Sequence, residues 1–196
     1  LRSLLRKYGP EYPRRTQTAA FGAISERELT ANELTIHYDR EKGYLGHKIS
    51  GEPLLSCSPL DRLLLVWKDG RCKVTAPPEK LFVDTTLIYC KILDRERVMT
   101  AVYESDFFTF FKNFTIVGLI TNRESRFAAR GAHVRFFSDE NPPALFVRYI
   151  ADERIKIRQQ RFAIEKQPVR TRDAKGVVLT ANQIDYVGAE KAPDWD

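Results

Sequence analysis

Permanently charged side chains recur at every second position in three short stretches: Arg154, Lys156 and Arg158; Arg71 and Lys73; Arg170 and Arg172. In an extended strand alternate side chains leave the same face about 6.6 Å apart. That is close to the phosphate spacing along a nucleic-acid strand. Sequence-independent binding needs only cations so spaced on a rigid support. The chain holds no nucleophile elbow, phosphate-cradling glycine loop, His-Glu-x-x-His pattern or acidic metal cluster, so neither a catalytic residue nor a metal ligand is expected. Asp139-Glu140 and Asp152-Glu153 lie in turn-like segments, and His37, His47 and His133 are scattered. Cys57, Cys72 and Cys90 form no Cys-x-x-Cys pair and read as reduced, buried thiols.

The formal net charge is +6 over 196 residues, with a pI near 9.3. Residues 120–180 carry thirteen Lys and Arg against seven Asp and Glu, so the whole excess lies there and the remainder is neutral. Such a field attracts phosphate backbones or acidic protein surfaces, and charge alone leaves both open. No apolar run reaches the roughly 18 residues of a membrane span. The chain begins at Leu1 without a signal-peptide pattern, and its only Met is Met99, so a cytoplasmic fragment of a larger protein is expected.

The elements that must position these cations read as strands. Leu1, Leu4, Leu5 and Tyr8 have helical spacing and predict the end of an amphipathic helix, stopped by Gly9-Pro10. A linker follows, giving a first segment of residues 1–29. Residues 30–188 alternate short β-branched and aromatic runs with turn residues, which predicts an all-β domain; residues 189–196 read as a tail containing Trp195. Hairpin turns are expected at Asp39 to Gly43, at Lys68-Asp69-Gly70, at Lys112-Asn113 and at Gln159-Gln160. In the last hairpin Ile155, Ile157, Phe162 and Ile164 would share the buried side, with Lys156 and Arg158 outward. Phe107, Phe108, Phe110, Phe111, Phe114 and Trp67 are assigned to the core, the paired phenylalanines serving two packed faces. Loose spacing of roughly 40–50 residues suits propeller-like blades, and a sandwich would give a similar pattern.

Several phrases, in order, resemble one family. Leu4-Leu5-Arg6-Lys7-Tyr8-Gly9 with Pro13-Arg14-Arg15-Thr16 resembles the exit from the coiled-coil gate of bacterial type IIA topoisomerase A subunits. Tyr38 to Gly46 resembles the first blade of the C-terminal domain. Ser56 to Asp61, Trp67 to Arg71 and Lys80 to Val83 resemble the second. Phe110-Phe111-Lys112-Asn113-Phe114 resembles the third hairpin, and Val169 to Thr180 the closing Lys-Gly-x-x-Leu-Thr phrase.

The resemblance is to the C-terminal domain of a topoisomerase IV A subunit or a gyrase-A-like relative. It implies a β-pinwheel, a propeller-like disc whose blades exchange strands, here of about four blades and open or small. It also implies a non-catalytic part of an ATP-dependent enzyme. ATP and Mg would be handled on other domains or the ATPase B subunit, and the DNA-cleaving Tyr would lie upstream. The implied partners are duplex DNA, the catalytic core of the same subunit and the B subunit, at the nucleoid, with no membrane. Lys48 leads into Ile49-Ser50-Gly51-Glu52-Pro53, so the Gln-Arg-Arg-Gly-Gly-Lys-Gly box of gyrase is absent, which argues against wrapping that introduces negative supercoils. The expected DNA-contacting residues are Lys48, Arg71, Lys73, Lys112, Arg123, Arg126, Arg130, Arg154, Lys156, Arg158, Arg161, Arg170, Arg172 and Lys175. The expected role is to bind duplex DNA on a basic rim and present the transported segment for strand passage. The rival expectation is a scaffold that docks an acidic protein.

Overall fold

The computed structural model describes residues 33–151, 155–192 and Trp195. The helix end and linker expected in residues 1–29 lie outside them, as does Arg154. The described residues form strands and no helix. In chain order the strands are β1 (Leu34–Asp39), β2 (Tyr44–Gly46), β3 (Glu52–Cys57), β4 (Leu63–Trp67), β5 (Arg71–Thr75), β6 (Leu81–Phe82), β7 (Leu87–Ile92) and β8 (Val98–Ser105). They continue with β9 (Phe108–Thr115), β10 (Glu124–Arg126), β11 (His133–Ser138), β12 (Ala144–Tyr149), β13 (Gln159–Ala163), β14 (Val169–Arg170), β15 (Val177–Thr180) and β16 (Ile184–Gly188).

Four sheets result, and the chain does not finish one before starting the next. β1, β2 and β3 open the first sheet; β6 returns to close it on β2 after β4 and β5 have begun the second. β10 likewise closes the second sheet on β5 after β8 and β9 have begun the third. β14 and β15 close the third on β9 after β12 and β13 have begun the fourth. The fourth sheet, β13-β12-β16, receives no such strand among the described residues. This is an all-β, strand-exchanged arrangement of four blades with no closed barrel, the open β-pinwheel pattern.

Burial follows the blade stacking. β4 reads Leu-Leu-Leu-Val-Trp and is buried at all five positions. Leu63, Leu65 and Trp67 pack with Ile36, Tyr38 and Leu45 of the first blade. Leu64 and Val66 turn the other way, onto Met99, Ala101 and Phe114 of the third. Phe110 and Phe114 face the second blade, whereas Phe111 packs with Leu145 and Ile164 of the fourth. A continuous apolar run is therefore what a blade needs when both faces are covered. The Trp67 indole N–H donates to the Val83 carbonyl and ties β4 to the segment after β6.

The first two turns sit as the sequence predicts, at Gly43 and Gly70, both with positive φ (70° and 79°). The other two do not. The third hairpin turns at Asp106-Phe107, and Lys112 and Asn113 lie inside β9, opposite Ala101 and Thr100. The fourth is joined through residues 150–158, and Gln159 and Gln160 are not a turn but the start of β13, paired with Arg148 and Val147. Neither Gln takes the positive φ that a tight turn requires. Ile164 is buried, but Ile157 is 64% exposed, so the shared buried side does not form. Phe107 and Phe108 are not core: they are 99% and 44% exposed. Trp195 lies edge-on to Phe146, with ring centroids 5.3 Å apart. All three cysteines are free thiols, two buried and Cys90 half-buried.

Candidate nucleic-acid interface

The structure sorts the expected cations into three groups by what surrounds them. The first is buried. Lys112 is 1% exposed, and its ammonium donates to the carbonyls of Phe127, Arg172 (2.6 Å) and Ala174 (2.9 Å). The rings of Tyr103, Phe114 and Phe127 surround it, the Phe114 centroid 4.9 Å away. Burial pushes its pKa down to about 8, and the nearby charges of Asp173 and Cys72 resist that shift. The expectation that Lys112 meets a phosphate is corrected: its donors are spent on three backbone acceptors inside the fold.

The second group is exposed or half-buried but held by carboxylates. Arg71 contacts Asp84 (2.7 Å), Asp69 (2.8 Å) and Glu124 (3.3 Å). It thereby staples together the segment following β6, the turn of its own hairpin and the exchanged strand β10. Burial opposes its charge, but the hydrogen bond to Asp84 and the pairing with Asp69 outweigh this and raise its pKa. Arg126 donates to the Asp69 carboxylate at 2.9 Å and to its carbonyl at 2.8 Å. Lys48 pairs with Glu79 at 2.7 Å and Arg172 with Asp173 at 3.0 Å. Ion pairs of exposed groups are weak and exchange readily, so Lys48 stays accessible to an anion; Arg71, three times paired, does not.

The third group makes no ion pair among the described residues: Lys73, Arg123, Arg130, Lys156, Arg158, Arg161, Arg170 and Lys175. Lys156 and Arg158 lie in the segment between β12 and β13, where the backbone is irregular and not the alternating strand expected. Together with Arg148, Tyr149, Ile150 and Asp185 they line an open cleft of about 860 Å³. Arg148 was not among the expected contacts; its guanidinium holds Asp185 at 2.7 Å, which neutralises the acidic wall of that cleft. Arg161 follows on β13, opposite Phe146. A second, smaller cleft of about 310 Å³ brings Arg126 and Lys175 beside Ser105 and Asp106. Lys73 and Arg123 flank Glu124 at the β5–β10 edge. Three of these eight cations, Lys156, Arg158 and Arg161, lie on the fourth blade, whose sheet receives no exchanged strand among the described residues.

Strand-exchanged blades with no closed barrel define an open β-pinwheel-like module, here with exposed cations on its surface. A family model, the topoisomerase C-terminal domain of Bacteroidota, matches residues 35–192. The chain belongs to that family, and its role is tied to a topoisomerase. No curated protein matches the chain. No helix among the described residues is long and apolar enough to cross a membrane.

Proposed function

We propose that this domain holds duplex DNA without reading its bases. In that reading it presents the transported segment to the strand-passage gate of a topoisomerase IV-like type IIA enzyme. The observation that carries the reading is the set of exposed cations Lys156, Arg158 and Arg161 on the fourth blade, which make no ion pair among the described residues. A phosphate backbone is satisfied by such cations with no base contact at all. The family membership, which ties the domain to a topoisomerase, is compatible with that role. The parent would draw on ATP and Mg bound elsewhere, on its own catalytic core and on an ATPase B subunit, acting at the nucleoid. The missing glycine-rich box after the first blade favours presentation of a segment over wrapping that adds negative supercoils.

The test is a gel-shift titration of the chain with duplexes of increasing length at two salt concentrations. Four phosphates neutralised would give a slope of log K against log salt of about −3.6, and roughly a hundredfold loss of affinity between about 50 and 200 mM. Reversing Lys156, Arg158 and Arg161 to Glu should abolish the shift. No shift at low salt would overturn the proposal. So would a triple variant that binds DNA normally while losing contact with an acidic protein.

A further inference from the structure

The β8–β9 hairpin has a tip that its fold does not call for. Ser105 pairs with Phe108, and the two residues between them, Asp106 and Phe107, both take positive φ (50° and 66°). A two-residue hairpin turn of this hand is the place for Asn-Gly or Asp-Gly. The longer turns of the first two blades also place glycine, Gly43 and Gly70, at their left-handed positions. The third blade puts a bulky aromatic in the same conformation, where a large side chain is strained. Yet the ring gains nothing from the fold, because 99% of the residue is exposed.

Its support is stiff and its neighbours are suggestive. β8 and β9 pair over eight residues each. Phe108 and Ile150, both partly exposed, stand beside Phe107 along a cleft of about 300 Å³. Ile150 is also a wall of the basic cleft that holds Lys156 and Arg158. On the other side of the tip, Ser105 and Asp106 border the cleft that contains Arg126 and Lys175. Lys175 has no carboxylate partner among the described residues; its ammonium rests 4.7 Å from the Phe110 ring centroid. Glu104, next along β8, is answered by Arg135 at 3.7 Å. An apolar ring that the fold does not bury therefore projects from a long hairpin, flanked by cations that make no ion pair among the described residues, Lys156 and Arg158 on one side and Lys175 on the other.

We propose that Phe107 is a wedge that enters a base-pair step of the bound duplex from the minor groove and kinks it, while Lys156, Arg158 and Lys175 hold the phosphates on either side. Apolar side chains inserted in this way unstack a step and bend DNA by tens of degrees. The proposal rests on the DNA-binding reading above and adds a deformation that phosphate contact alone does not require. Flexible pyrimidine–purine steps and mismatches, which unstack at least expense, are the preferred sites.

The experiment compares the chain with F107G and F107A. The probe is a duplex of about 30 base pairs carrying one central mismatch flanked by 2-aminopurine, with a donor and an acceptor dye at its ends. Glycine suits positive φ, so F107G keeps the fold, checked by thermal unfolding. The wild type should brighten the 2-aminopurine, shorten the end-to-end distance and prefer the mismatched duplex over the matched one by about tenfold. Both variants should keep the wild-type salt slope, because no charge is removed, and lose the brightening, the bend and the preference. Variants that bend and discriminate like the wild type would overturn the wedge while leaving DNA binding intact. Unchanged DNA behaviour with a lost contact to the rest of the topoisomerase would also overturn it, making the ring a protein contact. A wild type that shifts no duplex would fail the DNA reading itself.

Discussion

Lys112 offers the sharpest test of how the third blade is held. Replacing it with Met keeps length and apolar bulk but leaves the carbonyls of Phe127, Arg172 and Ala174 without a donor. Each hydrogen bond from a charged donor is worth about 1.5–3 kcal/mol. Against this stands the desolvation of the ammonium: a pKa brought from 10.5 to about 8 corresponds to about 3 kcal/mol. The balance predicts that K112M is less stable by about 3 kcal/mol at pH 7, measured by urea unfolding. The sign of the pH dependence follows from the same shift. Between pH 8 and 10.5 the unfolded chain still carries this proton and the native state has shed it, so native stability rises with pH through that window. The gap between wild type and K112M should therefore widen by roughly 2–3 kcal/mol from pH 8 to 10. The buried Tyr groups and Cys90, whose raised pKa values pull stability the other way, are common to both proteins and cancel; Cys72, whose raised pKa is held down in part by the Lys112 charge, contributes a smaller difference of its own. A gap that narrows over this range would mean that the three carbonyls raise the lysine's pKa, and the reasoning would be refuted.

Two further outcomes are expected. Asp139 is buried, which alone would raise its pKa, but Lys91 and Arg97, each at 2.8 Å, pull it below the ordinary carboxylate value. Its contribution is present above that ordinary value and is lost as pH falls through the lowered one. D139N should therefore be destabilised at neutral pH by about 1–3 kcal/mol and show a flatter acid limb in pH-dependent unfolding. At Gly70 a Cβ would lie 2.6 Å from the Cβ of Ala128, and φ is 79°. G70A should lower stability by about 2 kcal/mol in a denaturant melt, where a harmless alanine would leave the midpoint unchanged.

The parts legible in the sequence were those decided locally. Gly43 and Gly70 mark their hairpins because a tight turn needs positive φ, and the apolar run of β4 announces a blade covered on both faces. The third turn was misplaced because Lys-Asn inside an aromatic run looks like a polar break. What makes Lys112 tolerable inside β9 is a cage of carbonyls, two of them 60 and 62 residues away. Asp106 was the available signal for the true turn, since Asp tolerates left-handed backbone, and Phe107 after it disguised the site as core. Strand exchange came from family resemblance, because strands of two or three residues leave no periodic trace. The fate of the cations was equally non-local. Arg71 meets Glu124 across 53 residues and Arg126 meets Asp69 across 57, so no reading of spacing could subtract them from the basic strip.

That subtraction explains why the excess charge matters where it does. Every seam between blades uses cations as clamps. Arg71 joins Asp84 and Glu124 at the first; Lys91 and Arg97 converge on Asp139 at the second. At the third, Arg135 donates to the carbonyls of Ile184 and Asp185 at 2.8 and 3.1 Å. Charges so engaged hold the fold and have little left for a ligand, since binding an anion would first break an internal pair. Among the described residues no strand pairs with the outer edge of β13, and no blade follows the fourth. Lys156, Arg158 and Arg161 make no ion pair among the described residues, and exposed cations of this kind attract anions from outside. On the DNA-binding reading proposed above, cations that clamp no seam are the ones left to a phosphate backbone. Binding there should stabilise the fourth blade more than the three that are already clamped.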